Sequence, residues 1–221
     1  MIALEAKNIH FTYEKKEILT NANIRISEGE CVAVTGPSGS GKSTLCYILS
    51  GIIPRSIDGM LKGSVKLFGD EIKTLSLAET VKRVGIVFQN PDAQLFSPTV
   101  EDEIAFGPEN LCVPRQEIES RIVKALGIVD MLEYRHFNPL HLSGGQKQLI
   151  AIAASLALEP KALIFDEALS QLDNNSTKLV KSVINKLKGR GIAILMVEHN
   201  RENLDIADRI YRLSNGILEE V

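Results

Sequence analysis

At 221 residues, with 44% hydrophobic content and a formal net charge of −3, the chain can build one sizeable core without external staples. Its lysines and arginines are scattered and form no basic stripe, which disfavours a long nucleic acid as partner. Three cysteines, Cys31, Cys46 and Cys112, lack metal-ligand spacing, and the first two lie in apolar stretches, so a reducing compartment is expected.

The chain opens on IALEAKNIHFTY, which reads as a strand and not as a basic segment with an apolar core, so no secretion signal is expected. Polar and apolar residues alternate over Ile2 to Tyr13, Ile18 to Ile26 and Gly63 to Phe68, predicting an antiparallel sheet with one wet face. Between these segments, Cys31 to Thr35 is continuously apolar, the pattern of a strand buried on both faces.

That run leads into GPSGSGKST, made of Gly36, Pro37, Ser38, Gly39, Ser40, Gly41, Lys42, Ser43 and Thr44, and then into the helical Leu45 to Leu49. Two glycines enclosing four residues, followed by lysine and a hydroxyl, form a phosphate-binding loop when strand precedes and helix follows. Backbone N–H groups converge on the phosphates there, and the helix start adds positive potential. Gly39 and Gly41 are expected to let the phosphates approach. Lys42 is expected to reach the β- and γ-phosphates, Ser43 to ligate Mg²⁺, and Thr44 to lie near the α- and β-phosphates.

Three more apolar runs follow: Val84 to Phe88, Ala162 to Asp166 and Ile192 to Val197. They end at Gln89, at Asp166-Glu167 and at Glu198-His199. Ligands of open α/β sheets bind at the carboxyl ends of the strands, so the four runs predict one site along one sheet edge. Adjacent strand residues point to opposite faces, which assigns Asp166 and Glu167 different tasks. Asp166 is expected to serve Mg²⁺ through a bound water, and Glu167 to polarise the water attacking the γ-phosphate. Gln89 offers a carbonyl oxygen to the metal and an amide to the water, and His199 ends its strand beside the γ-phosphate.

From about Thr99 to Leu158 the reading turns helical, including Arg115 to Leu126 with Ile118, Ile122, Ala125 and Leu126 on one face. Within it, Leu142-Ser143-Gly144-Gly145-Gln146 precedes a helix over Lys147 to Ala157, another helix start that favours an anion. The apolar tract Leu149 to Phe165 is broken at Glu159-Pro160, short of the roughly 20 apolar residues that span a bilayer. Near the end, Arg209 to Leu213 and Ile217 to Glu220 flank Ser214-Asn215-Gly216, a hairpin signal.

Taken together, GPSGSGKST, Gln89, LSGGQ, LIFDE, Ser170-Gln171-Leu172-Asp173 and His199 resemble the ATP-binding subunits of ABC transporters over essentially the whole chain. The resemblance implies an α/β P-loop NTPase with a mostly parallel core sheet, an N-terminal antiparallel β subdomain and an inserted helical subdomain. It implies one domain over residues 1–221, with the core and antiparallel sheet in about 1–90 and 159–221 and the helical part in about 91–158. It also implies that Tyr13 stacks on adenine, and that Ser143, Gly144, Gly145 and Gln146 contact ATP held by a second ATPase subunit, with Asp173 at their interface. Homodimer and heterodimer both fit.

Phe88 to Leu111, FQNPDAQLFSPTVEDEIAFGPENL, is more narrowly similar to the ATPases of energy-coupling-factor importers for vitamins and transition metals. That similarity implies a transmembrane coupling subunit, a substrate-capturing membrane subunit, and a peripheral position on the cytoplasmic face of the membrane. The chain departs from the family pattern at Ala168-Leu169, Gln171 and Leu149, none of which removes a catalytic group. Equal and unequal ATP sites in the dimer both fit these departures. A soluble ABC ATPase, or the ATPase of another ABC transporter class, is the alternative. The soluble kind normally carries two cassettes or a long coiled-coil insertion, and this chain has neither. A nucleotide-gated module without hydrolysis should lack the Glu167 and His199 present here, and a P-loop kinase or GTPase would leave LSGGQ unexplained.

Overall fold

The difference between alternating and continuous apolar segments resolves into two separate sheets. The computed structural model describes residues 1–221. In chain order its elements are β1 (Ile2–Tyr13), β2 (Lys16–Ser27), β3 (Cys31–Thr35), α1 (Lys42–Leu49), α2 (Ile52–Arg55), β4 (Met60–Leu67), β5 (Asp70–Glu71), α3 (Leu77–Val81) and β6 (Val84–Val87). Then come α4 (Val100–Asn110), α5 (Arg115–Val129), α6 (Gly144–Leu156), β7 (Ala162–Asp166), α7 (Asn174–Gly189), β8 (Ala193–Val197), β9 (Arg209–Ser214) and β10 (Ile217–Glu220).

The antiparallel sheet has the order β2-β1-β4-β5, with Leu4 opposite both Ile26 and Leu67. The core sheet has the order β10-β9-β3-β8-β7-β6 and is parallel from β9 to β6. β9 and β10 form the expected hairpin, whose turn residues Asn215 and Gly216 both have positive φ, as a two-residue turn between twisted strands requires. β9 does more than the hairpin signal implies: it pairs in parallel with β3, Val32 facing Arg209 and Thr35 facing Arg212. Those two arginines keep its composition from looking like that of a doubly buried strand.

Side-chain alternation along the parallel strands divides the core in two. Cys31, Ala33, Leu163, Phe165, Ile194 and Met196 face the helices α4 to α7, where Ile104, Leu126, Ile150 and Ile184 meet them. Val32, Val34, Ala162, Ile164 and Leu195 face the antiparallel sheet and α1, packing with Phe11, Ile24, Leu45 and Leu49. Both faces of the sheet are thus apolar, leaving its edges and strand ends for polar chemistry.

Two helices begin or end beyond their sequence-based limits. α6 starts at Gly144, before Lys147, because Ser143 Oγ accepts the Gln146 amide while Gln146 Oε1 accepts the Ser143 amide, a complete capping box. α5 runs on to Val129 and stops where Asp130 adopts a left-handed conformation. No helix is long and apolar enough to cross a membrane.

Candidate functional site

β3 ends at Thr35, and the chain then makes the glycine loop before α1 begins at Lys42. Its glycines are needed for different reasons. A Cβ on Gly36 would lie 2.1 Å from the Leu213 carbonyl of β9, and one on Gly41 would lie 2.8 Å from the Ile18 side chain of β2. Gly41 is thus also required by packing, at a left-handed φ of 103°, a demand that the spacing of the loop does not show. Gly39, at φ +73°, has open space where its Cβ would be and fits the expected phosphate approach.

Lys42 starts α1 and is only 5% exposed. Its Nζ donates to the Gly36 carbonyl at 3.1 Å and the Pro37 carbonyl at 3.0 Å. Glu167 Oε1 lies 3.4 Å from the same nitrogen. Two of the three ammonium donors are thus spent on fixing the head group inside its loop. Ser43 Oγ donates to Asp166 Oδ1 at 3.0 Å, joining α1 to the end of β7 across the site.

Asp166 is 5% exposed, and burial pushes its carboxyl above the ordinary value, opposed by the Ser43 hydrogen bond. A buried carboxylate beside a hydroxyl is a donor set suited to a hard cation. No group of three or more His, Cys, Asp or Glu side chains forms a metal cage. The oxygens present instead suit Mg²⁺, which takes few protein ligands and completes its shell with water and phosphate.

The alternation rule stops applying one residue after Asp166. Glu167 has a left-handed backbone, φ 54°, and its N–H donates to the Val197 carbonyl of β8. A non-glycine residue adopts that region only where its surroundings hold it there, here through the bond to β8. The twist lets both carboxylates address the same loop, Asp166 through Ser43 and Glu167 through Lys42. His199 Nδ1 stands 3.9 Å from Glu167 Oε2. Gln89 Nε2 donates to Ser170 Oγ at 3.1 Å, and Ser170 Oγ donates to the Glu167 carbonyl at 2.7 Å. Ser170 thereby becomes the bridge between Gln89 and Glu167. Nothing in its spacing signals that role, which depends on the turn after Glu167.

Tyr13 sits at the end of β1, its ring edge-on to Phe11 with centroids 4.6 Å apart. It belongs to the same hairpin whose Ile18 packs on Gly41. A family model described as ABC transporter matches residues 19–170, taking in the glycine loop, Gln89, LSGGQ and both carboxylates. The chain belongs to the ABC transporter family, as an ATP-binding subunit.

This subunit is 44% identical over 217 residues to an ABC transporter ATP-binding protein of Methanosarcina acetivorans, covering 96% of this chain but 34% of that one. The chain thus spans about a third of that relative's length. It is 42% identical to the energy-coupling factor transporter ATP-binding protein EcfA of the same organism, over 98% of this chain and 77% of EcfA. Among solved structures it resembles cbiO1 of Clostridium perfringens, part of the ABC transporter complex cbiONQ. The TM-score is 0.88 at 29% identity, covering 98% of this chain and 86% of cbiO1.

The second glycine stretch of the ABC subunit stands apart from the first. The side chains of Ser143 and Gln146 bond only each other's backbone. Gly145 packs on Ser176, whose hydroxyl donates to Asp173 at 2.8 Å, so the structure groups LSGGQ with Asp173 and not with the glycine loop of its own chain. Asp173 caps α7 by accepting the Ser176 and Asn175 amides; the Ser176 amide and hydroxyl, with the Asn175 amide, hold its carboxyl below the usual range. Beyond Gln89, an apolar groove of about 320 Å³ opens between α3, β6 and α4. Its rim carries two outward phenylalanines, Phe96 and Phe106, with centroids 4.8 Å apart. Buried Glu103 accepts the Phe96 and Ser97 amides at 2.9 and 2.8 Å and fixes that rim.

Proposed function

We propose that this subunit hydrolyses ATP to energise an energy-coupling-factor importer of a vitamin or a transition-metal ion, and that closure of an ATPase dimer supplies the force. The carrying observation is the convergence of Lys42 and Ser43 with Glu167 and Asp166, at 3.4 and 3.0 Å, from opposite sides of one strand-end site. The importer class is supported by the likeness to EcfA and cbiO1 and by the Phe88 to Leu111 segment.

In this reading Tyr13 stacks on adenine, and the amides of Gly36 to Thr44 cradle the phosphates. Lys42 gives its remaining donor to them. Ser43, Asp166 and Gln89 would hold Mg²⁺, which would supply positive charge to offset that of the phosphates. Glu167 accepts a proton from the attacking water, and His199 steadies the γ-phosphate. Ser143, Gly144, Gly145, Gln146 and Asp173 close over the ATP of a second ATPase subunit. Their separation from the glycine loop within one chain supports this division. Closed by both subunits, the site holds one ligand in common; hydrolysis replaces it with two products that separate, and the dimer reopens.

The exposed Phe96-Phe106 rim, next to Gln89, suits a short apolar helix of the transmembrane coupling subunit, with a substrate-capturing subunit beside it. The chain then acts as a peripheral subunit on the cytoplasmic face of the membrane. Two experiments test the proposal. Glu167→Gln should abolish steady-state ATP turnover while leaving ATP binding intact, and normal turnover would refute the base. Purification from intact membranes should recover two membrane subunits, and recovery of soluble partners alone would refute the importer.

A further inference from the structure

Glu198 follows β8, has no accessible surface, and is the most deeply buried carboxylate in the chain. Its Oε1 accepts the amides of His199 and Asn200 at 2.9 and 3.0 Å. Its Oε2 accepts Nδ2 of Asn203 at 3.0 Å, a side chain that is itself buried. The backbone N–H of Glu198 donates to the Val34 carbonyl, so the residue is still registered against β3, the strand that feeds the glycine loop. No lysine or arginine pairs with the carboxylate. The nearest cationic candidate is His199 Nδ1 at 3.8 Å, which is also 3.9 Å from Glu167.

A carboxylate withdrawn from water persists only where fixed N–H donors replace its hydration. Here two of the three donors are the amides of the very turn that carries His199 out of the sheet. Glu198 therefore sets the backbone path of that turn, and with it the side from which the imidazole faces Glu167. A neutral side chain of the same length carries one acceptor oxygen and no charge, so the His199 and Asn200 amides lose their charged acceptor.

We propose that Glu198 is a positioning residue for His199: it aims the imidazole at the γ-phosphate beside Glu167 and never touches the substrate. The proposal rests on the hydrolysis reading of Glu167 and His199. Its test is a double-mutant cycle on the full chain under single-turnover conditions, with Glu198→Gln, His199→Ala and both together. Glu198→Gln should slow hydrolysis about tenfold with the affinity for ATP changed less than about twofold, and should add nothing once His199 is removed. Equal losses from Glu198→Gln with and without His199, or none at all, would overturn the proposal.

Amide hydrogen exchange supplies a reading independent of turnover. The His199 and Asn200 amides should exchange about tenfold faster in Glu198→Gln, since each loses a charged acceptor. Unchanged exchange overturns the positioning role even if rates fall. A wild-type chain that binds ATP without cleaving it would sink the hydrolysis reading instead, and exchange at these amides keeps the two failures apart.

Discussion

Gly145 and Ser176 are dovetailed: a Cβ on the glycine would lie 2.1 Å from the serine hydroxyl and 2.4 Å from its Cβ. The start of α6 thus rests directly on the start of α7. Ser176 also donates its hydroxyl and amide to Asp173, so any displacement there moves Asp173. Beside Gly144, by contrast, the space is open. Gly145→Ala should therefore destabilise the chain by about 1–3 kcal/mol, the range for overpacking, and lower Tm by roughly 2–4 °C per kcal/mol. Ser176→Gly should recover most of that loss. Gly144→Ala should leave Tm unchanged or slightly higher while blocking ATP turnover. A Gly145→Ala chain that melts like wild type would show that the two helix starts are not in contact.

Asp166 makes a prediction in pH. Its carboxyl is held above the ordinary range chiefly by burial, so the folded chain binds the proton more tightly than the unfolded chain does. Stability from this group is then greatest below its unfolded value and falls as pH rises through the folded one. Asp166→Asn keeps an acceptor for Ser43 and removes the charge. Without nucleotide the variant should melt above wild type at pH 7, and the gap should close as pH approaches about 4. With Mg²⁺ and ATP the order should reverse, because wild type alone gains binding energy on the folded side. Melts across pH, with and without nucleotide, check both arms.

Much of this site can be read from residue order, and what cannot has a physical cause. The strands β3, β6, β7 and β8 are visible because burial on both faces demands continuous apolarity, and their last residues mark the sheet edge. β9 escapes, because Arg209 and Arg212 make it look like a surface strand although it joins the parallel sheet. The turn at Glu167 escapes as well: strand alternation places its carboxylate opposite that of Asp166, and only the left-handed backbone brings both to one loop. Ser170 and Glu198 act through hydrogen bonds whose geometry depends on neighbouring turns, so no spacing rule finds them. The packing of Gly41 against Ile18 escapes for a related reason, since a glycine needed against a side chain looks the same in sequence as one needed for phosphate.

The loop after Gln89 is tied to α6 of the same chain. Lys147, directly after LSGGQ, pairs with Asp92 at 2.6 Å, and Gln148 Nε2 donates to the Phe88 carbonyl at 3.2 Å. Gln94 Oε1 accepts the Phe88 amide, so the peptide units just before Gln89 are held from both sides. Asp92 is exposed, which limits the pair's own contribution to stability to roughly 0–1 kcal/mol. Its consequence should be kinetic. Asp92→Lys and Lys147→Asp should each slow turnover about three- to tenfold with little change in Tm, and the charge swap should recover most of the rate. Gln148→Leu leaves the Phe88 carbonyl unpaired and should cost about 1–3 kcal/mol of stability. Additive losses in the charge swap would show that Asp92 and Lys147 act separately.

Phe96 is 66% exposed and Phe106 48%, an apolar pair turned outward at the mouth of a groove whose floor includes Ile86, Phe88 and Leu158. Paired exposed aromatic rings at the rim of an apolar groove are the composition of a partner-binding patch, because aromatic anchors contribute most of the energy at such contacts. Glu103 holds the Phe96 backbone from inside, so the side chain can be changed without unmaking the loop. Phe96→Asp should therefore leave the Tm and the ATPase rate of the isolated chain within about twofold of wild type, while abolishing co-purification with the membrane subunits and ATP-dependent uptake in vesicles. Glu103→Ala, which frees the Phe96 and Ser97 amides, should lose both stability and association. Should the Phe96→Asp chain still assemble and transport normally, the partner binds elsewhere on the ATPase, and the groove beside Gln89 is not the route by which closure reaches the membrane.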